Sequence, residues 1–366
     1  MNKRTFLLTF SVISSLIFLG CQKKVADTAS STSTSKYLYF SAGGCYVGTL
    51  TGTKPVSTTA SGLVNRVTLD TGQIQGIPTF DYYQAGLNLW PVGIADYDAN
   101  YFLVNMMSST AGFRVDKVKK SGVQEKVDYF TDVSNLNSYL RNINVLSDGS
   151  VLISRSTMVE KYNNSLARVQ NTTALASYMS NPAGAACTGS ATLISAVVPL
   201  PNSNILYAHA GGATNNRVFV IDKGGYDAAA DCLGGVTFSG TSSPATVAVP
   251  TAAVLIPGTD PYQIIVATAS STAGNDQLWL FTVNSSTNAV TYVKSLYNNI
   301  SFVKGVSAMT YDSSTSTLYV ANGSTTLGNT VEKFTYDSAA QTLTRTGSFL
   351  GLNLDSQCIN SMFISY

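Results

Sequence analysis

The chain of 366 residues is poor in charge, in glutamate and in histidine. Only 11% of it is charged, and its 20 acidic residues include just three glutamates, Glu125, Glu160 and Glu332. Ser, Thr, Asn, Gly, Val and Tyr are abundant instead, so strand and turn formers dominate and an all-helical protein is excluded. His209 is the only histidine, which excludes a His-rich metal site and leaves a serine nucleophile no other conventional base. Neither a G-x-S-x-G elbow nor a P-loop occurs. The formal charge of +2 gives no footprint for a phosphate backbone, so nucleic acid is not an expected partner. What the chain does have is 45% apolar residues and 29 glycines, enough to bury a large core without a partner.

The N-terminus reads as an export signal. Lys3 and Arg4 precede an apolar run of 14 residues at 6–19, too short for a stable span of about 20 residues. Residues 18–21, FLGC, follow directly and resemble the bacterial lipoprotein signal, with Phe18 where that pattern usually has Leu. The resemblance implies cleavage before Cys21 and acyl chains on Cys21 that hold the protein on a bilayer. Gln22 stands where enterobacterial relatives retained in the inner membrane carry Asp, so an outer-membrane position is expected. Loss of Lys3 and Arg4 leaves 20 basic against 20 acidic residues. The domain reading is a signal peptide at 1–20, a lipidated Cys21 with a Ser/Thr-rich tether to residue 36, and one folded domain at 37–366. As a flexible coil, 15 residues reach about 20 Å.

The folded part repeats. YLYFSA at 37–42, YFLVN at 101–105, VLISR at 151–155, ILYAH at 205–209, IIVAT at 264–268 and LYVAN at 318–322 align as six apolar strands. Before five of them stands another strand, around Val92, Ile143, Ile194, Ala253 and Val306, at intervals of 51, 51, 59 and 53 residues. Alternating third strands follow, such as VEKY at 159–162, RVFVI at 217–221 and VEKFTY at 331–336, then a fourth. Units of about 50 residues with four antiparallel strands are the blades of a β-propeller. The first unit lacks an inner strand, while the chain ends on a spare one at 359–366. The expected fold is therefore all-β, a six-bladed propeller of four-stranded antiparallel blades whose C-terminal strand joins blade one and closes the ring.

Four further cysteines form an even set in an exported chain. Cys358 opens the closing strand and Cys45 lies just past the strand that pairs with it, so these two are expected to bond, contributing about 5 kcal/mol in the chain-entropy model. Cys187 and Cys232 pair by elimination, although the blade map sets them towards opposite faces.

Residues 316–324, STLYVANGS, with 329–334, NTVEKF, resemble the YVTN-type repeat of bacterial lactonase-like propellers. The match covers one unit in six and implies fold. Related enzymes use acidic and histidine residues in the central channel, and no such set carries over to this chain.

Other motifs have bland readings. Asp96, Asp98 and Asn100 imitate the opening of a calcium loop, but Met107 stands where the bidentate glutamate belongs. Asp148, Asn202, Asp260 and Asp312 recur in the same slot, which marks turns. Lys117, Lys119 and Lys120 read as a solvated hairpin end, Asp227 and Asp231 as a hairpin insertion, and His209 as a strand-end residue on the loop-bearing rim. Tyr82, Tyr83 and Trp90 lie in an aromatic stretch, read as leading from the first blade into the second, and with His209 they are the candidate contacts for a protein or glycan. No catalytic residue, metal ligand or cofactor is identified. The expected function is a lipid-anchored binding or assembly module, with a lactonase-like hydrolase or a structural envelope component as alternatives.

Overall fold

The computed structural model describes residues 36–44, 63–72, 80–81, 89–108, 113–120, 126–132, 140–155, 158–163, 168–171, 193–210, 216–222, 232–239, 243–269, 276–323, 330–351 and 357–366. Their strands fall into six antiparallel sheets of four. The first sheet joins both ends of the chain: β1 (Tyr37–Gly44), β2 (Leu63–Thr68) and β3 (Phe80–Asp81) follow one another, and a strand from the C-terminus pairs with β1 on the side away from β2. The second comprises β4 (Leu89–Asp96), β5 (Tyr101–Ser108), β6 (Phe113–Lys119) and β7 (Lys126–Asp132). The third has β8 (Leu140–Val145), β9 (Val151–Arg155), β10 (Met158–Tyr162) and β11 (Arg168–Asn171), and the fourth β12 (Leu193–Pro199), β13 (Ile205–Ala210), β14 (Arg217–Ile221) and β15 (Cys232–Thr237). The fifth holds β16 (Val249–Ile256), β17 (Tyr262–Ala269), β18 (Gln277–Val283) and β19 (Val290–Tyr297). The sixth holds β20 (Val306–Asp312), β21 (Thr317–Asn322), β22 (Thr330–Asp337) and β23 (Thr342–Gly351), and the C-terminal strand is β24 (Gln357–Ser365).

The expected pairing of the chain ends is present: Tyr37 faces Ser365, Tyr39 faces Phe363 and Phe40 faces Met362. Tyr39 and Phe363 stack with ring centres 4.9 Å apart.

The second strand of each sheet is the most apolar because it is covered on both faces. All six residues of β13 and of β21 are buried, whereas the outer strand β19 is mostly half-buried and leaves Thr291 and Ser295 exposed. The buried apolar residues form six clusters, and each bridges two neighbouring sheets. Phe238 stacks on Phe281 between the fourth and fifth sheets, for example, at 6.0 Å. Each such side chain contributes about 1.5–3 kcal/mol by leaving water. Gly234 permits the same two sheets to approach at their edge, since a Cβ there would lie 2.5 Å from the Asn288 carbonyl oxygen.

The first strands touch in sequence: β4 meets β8, β8 meets β12, β12 meets β16, β16 meets β20, β20 meets β24 and β24 meets β4. In the second to sixth sheets the hairpins from first to second and third to fourth strand lie at one end, the end at which β24 finishes and β1 begins in the first sheet. The connections between sheets lie at the other. Hairpin ends of adjacent sheets meet, as where Asn202 donates to Asn288 Oδ1 at 2.9 Å and Gln263 donates to the Ser338 carbonyl at 3.0 Å.

Candidate functional site

A cavity of about 270 Å³ lies between the first strands of all six sheets. Its lining follows from one recurring irregularity. In every sheet the pairing of first and second strand skips one residue of the first: Val92, Arg141, Ser195, Thr251, Ser307 and Asn360. Such a bulge bends the strand and raises its twist.

Counting from the bulge sorts the lining into levels. Two residues beyond it stand Ile94, Ile143, Val197, Ala253, Met309 and Met362, one from each sheet, so the middle level of the cavity is apolar. Polar side chains stand at the bulge, as in Ser195, Thr251 and Ser307, and one residue beyond it in Asn142 and Ser361, and the hydrogen bonds of these five go to backbone. Thr251 Oγ1 donates to the Ala267 carbonyl at 3.4 Å and Ser195 Oγ to the Ala208 carbonyl at 2.9 Å. Ser307 Oγ sits between the Ala321 carbonyl at 3.4 Å and the Ile359 carbonyl of the neighbouring sheet. Ser361 Oγ accepts from the Ile94 amide at 3.2 Å and faces the Ile94 carbonyl at 3.3 Å, and Asn142 Nδ2 donates to the Ser195 carbonyl at 2.9 Å. These side chains fasten the first sheet to the second and the third to the fourth.

Asp96 is the one carboxylate of the lining, among the described residues. Burial pushes its carboxyl up, against the pull of the paired Lys120 ammonium, which also donates to Ser365 Oγ at 2.8 Å. Among the described residues no three His, Cys, Asp or Glu side chains gather as metal ligands. A second concavity, of about 520 Å³, opens at the hairpin end between Leu146, Pro199, Leu200 and Leu255, with the Asp148–Lys161 pair at 3.7 Å on its edge.

Of the candidate contacts, His209 and the backbone of Trp90 lie among the described residues. His209 is fully buried, opposite Ile194 and Arg217, with its ring edge-on to Phe219 at 6.4 Å. It packs the end of β13 and offers no surface to a partner, which corrects the expectation of a contact on the rim. Trp90 belongs to β4, opposite Met107, so the aromatic stretch is not all connection: Phe80–Asp81 is a strand and Leu89 begins the next. The Trp90 side chain, Tyr82 and Tyr83 lie outside the described residues, as do Cys21, Cys45, Cys187, Asp227 and Asp231. Cys358 faces Gly43 across the β1–β24 pair. Cys232 is buried.

The turn motif behaves as a turn. Asp98 Oδ1 accepts from the Asn100 and Tyr101 amides at 2.8 Å, and Asp148 and Asp312 do the same for Ser150 and Ser314. The lysines beside it are more engaged than a solvated end requires. Lys117 lies 4.5 Å from the ring centres of both Tyr97 and Tyr101 and 3.7 Å from Asp98, and Lys120 is paired.

No family model matches the chain, and no curated protein matches it in sequence. Solved structures do. A chain of a nidogen/laminin complex matches with TM-score 0.56 and 12% identity over 90% of this chain and 98% of that one. A Bacteroides uniformis protein provisionally named a 6-phosphogluconolactonase matches with TM-score 0.54 and 10% identity over 87% and 83%. The periplasmic gluconolactonase of Pseudomonas aeruginosa matches with TM-score 0.51 and 15% identity over 85% and 82%. The fold is a β-propeller. At these identities the likeness extends to the propeller fold and no further.

Proposed function

We propose that the protein is an exported lipoprotein, acylated on Cys21, whose propeller is a six-bladed ring closed by β24 and serves as a non-catalytic binding or assembly module. The six sheets, the unbroken series of contacts among first strands and the cavity they share support the ring. In this reading Cys45 bonds Cys358 beside the closing pair, and Cys187 bonds Cys232.

The observation that carries the non-catalytic reading is the use of the channel's polar groups. Of its polar lining, Thr251, Ser307, Ser361 and Asn142 bond to backbone, an apolar level crosses the cavity, and Asp96 is held by Lys120. A protein or glycan partner is then met by the loops of the connection end, where Tyr82, Tyr83 and Trp90 supply rigid aromatic area. The two lactonase names among the structural neighbours favour a second reading, hydrolysis of a sugar lactone in the channel.

One assay separates the two. Purified protein, with magnesium, calcium or zinc added in turn, is expected to leave gluconolactone and its 6-phosphate at the spontaneous rate. Turnover on the order of 10 s⁻¹, ordinary for an enzyme, would overturn the binding-module reading. Crosslinking in intact cells should recover a partner whose yield falls on changing Tyr82, Tyr83 or Trp90 to Ala. Cys21→Ser should move the protein from the membrane fraction to the soluble one.

A further inference from the structure

The two ends of the folded chain are held at one place. Lys36, the first described residue, directs its ammonium at the Asp312 carboxylate, 3.3 Å from both oxygens, and at Ser314 Oγ. Tyr366, the last residue, donates its hydroxyl to Asp312 Oδ1 at 3.1 Å, and the Lys36 ammonium lies 4.8 Å from the centre of the Tyr366 ring. The Asp312 side chain is 2% exposed and is also bonded by Ser314 and Thr315. A carboxylate this enclosed, with a cation and three hydroxyls converging on it, fixes the point at which the chain enters the propeller.

That point is on the hairpin end. Asp312 closes β20 at the hairpin to β21, and Lys36 opens β1 beside the end of β24. The described connections between sheets are at the opposite end, where Ile300 and Val247 are exposed. First strands such as β4 have eight residues, which at about 3.3 Å each keep the two ends roughly 25 Å apart.

We infer that the Lys36–Asp312–Tyr366 clamp orients the propeller on its membrane: the hairpin end faces the bilayer, and the connection end is the surface presented to partners. The inference rests on the proposed acylation of Cys21. Residues 22–36, read as a flexible coil, reach about 20 Å from the lipid. Starting from the hairpin end, that length holds the hairpins near the headgroups and leaves the connection end roughly 45 Å out. A tether entering at the other end would give the reverse.

The test uses the full acylated chain in phosphatidylcholine vesicles containing a nitroxide-headgroup lipid. A fluorescent non-canonical amino acid is placed at exposed Thr287, in a hairpin, or at exposed Ile300, in a connection. Quenching at Thr287 is expected to be at least about twofold that at Ile300. Equal quenching, or the reverse order, in acylated protein that floats with the vesicles would overturn the orientation alone. Protein that purifies without acyl mass and does not float would overturn the anchoring, and the orientation with it. A Gly/Ser insert of about 45 residues ahead of Ser35 doubles the reach and should abolish the difference between the two sites; a difference that persists would show that the tether does not set the orientation.

Discussion

The sixth sheet carries Asn322 where the fourth carries His209, and the two occupy one backbone slot: Asn322 pairs with Val306 and His209 with Ile194, each one residue before a skipped serine. In the sixth sheet the slot is a polar latch. Asn322 Oδ1 accepts from the Lys304 amide at 2.9 Å, and its Nδ2 donates to the Phe302 carbonyl at 2.9 Å, so the amide holds down the incoming connection. Nearby Glu332 accepts from Arg345 at 2.8 Å, and Arg345 lies 3.6 Å from the Phe302 ring centre. In the fourth sheet the slot equivalent to Glu332 holds Phe219, which packs on Tyr207 at 5.6 Å and against His209. Arg217 beside it is fully buried, and burial lowers its guanidinium from the ordinary value. One backbone geometry thus accepts a hydrogen-bonded latch in the sixth sheet and an aromatic plug in the fourth.

The plug is the costlier of the two to lose. Phe219→Ala removes a ring buried between two sheets and should cost about 3–5 kcal/mol, read as a lower denaturant midpoint with an unchanged slope. Asn322→Ala leaves the Lys304 amide and the Phe302 carbonyl without their partner and should cost about 1–2 kcal/mol. Its signature is local: faster hydrogen exchange across Phe302–Gly305, with β13 and β14 unaffected. Equal acceleration in both sheets would mean that the latch stabilises the whole domain rather than the connection.

How much of this was legible in the sequence varies with the strand. Second strands such as β13 and β21 announce themselves because burial on both faces makes them continuously apolar, and the spare strand at 359–366 had an evident place beside Tyr37. Register was not legible. The bulge inserts a residue and changes the phase of each first strand, so the spacing of Val92, Ile143, Ile194, Ala253 and Val306 mixes different levels. Likewise Asn105 resembles Asn322 by eye, yet it faces Gly93 and shares the slot of Ala321, while Met106 takes that of Asn322. The channel lining was missed for the same reason. A signal did exist: Ser195, Thr251 and Ser307 recur every 56 residues, and all three are bulge residues bonded to the carbonyl of an Ala in the second strand. The buried state of His209 had none, because a strand end reads the same in sequence whether or not a loop covers it.

The hairpin end sharpens the same contrast between the two sheets. The fourth sheet's first turn uses an amide, Asn202, which binds the neighbouring turn through Asn288 and the Ser285 carbonyl. The sixth sheet's turn uses a carboxylate, Asp312. Burial pushes that carboxyl up, but the hydrogen bonds from Ser314 and Thr315, with the Lys36 ammonium, outweigh it and hold it below the ordinary value. A carboxyl with a lowered value in the folded state stabilises above the unfolded value, about 3.9, and loses that contribution as pH falls through the folded one. Asp312→Asn should therefore cost about 1 kcal/mol near neutrality, and the gap in melting temperature to wild type should close below about pH 4. Asn202→Ala removes no titrating group, so its gap should stay constant over the same range. If both gaps closed together, acid would be acting on the propeller as a whole, and the clamp at Asp312 would hold the chain ends by shape rather than by charge.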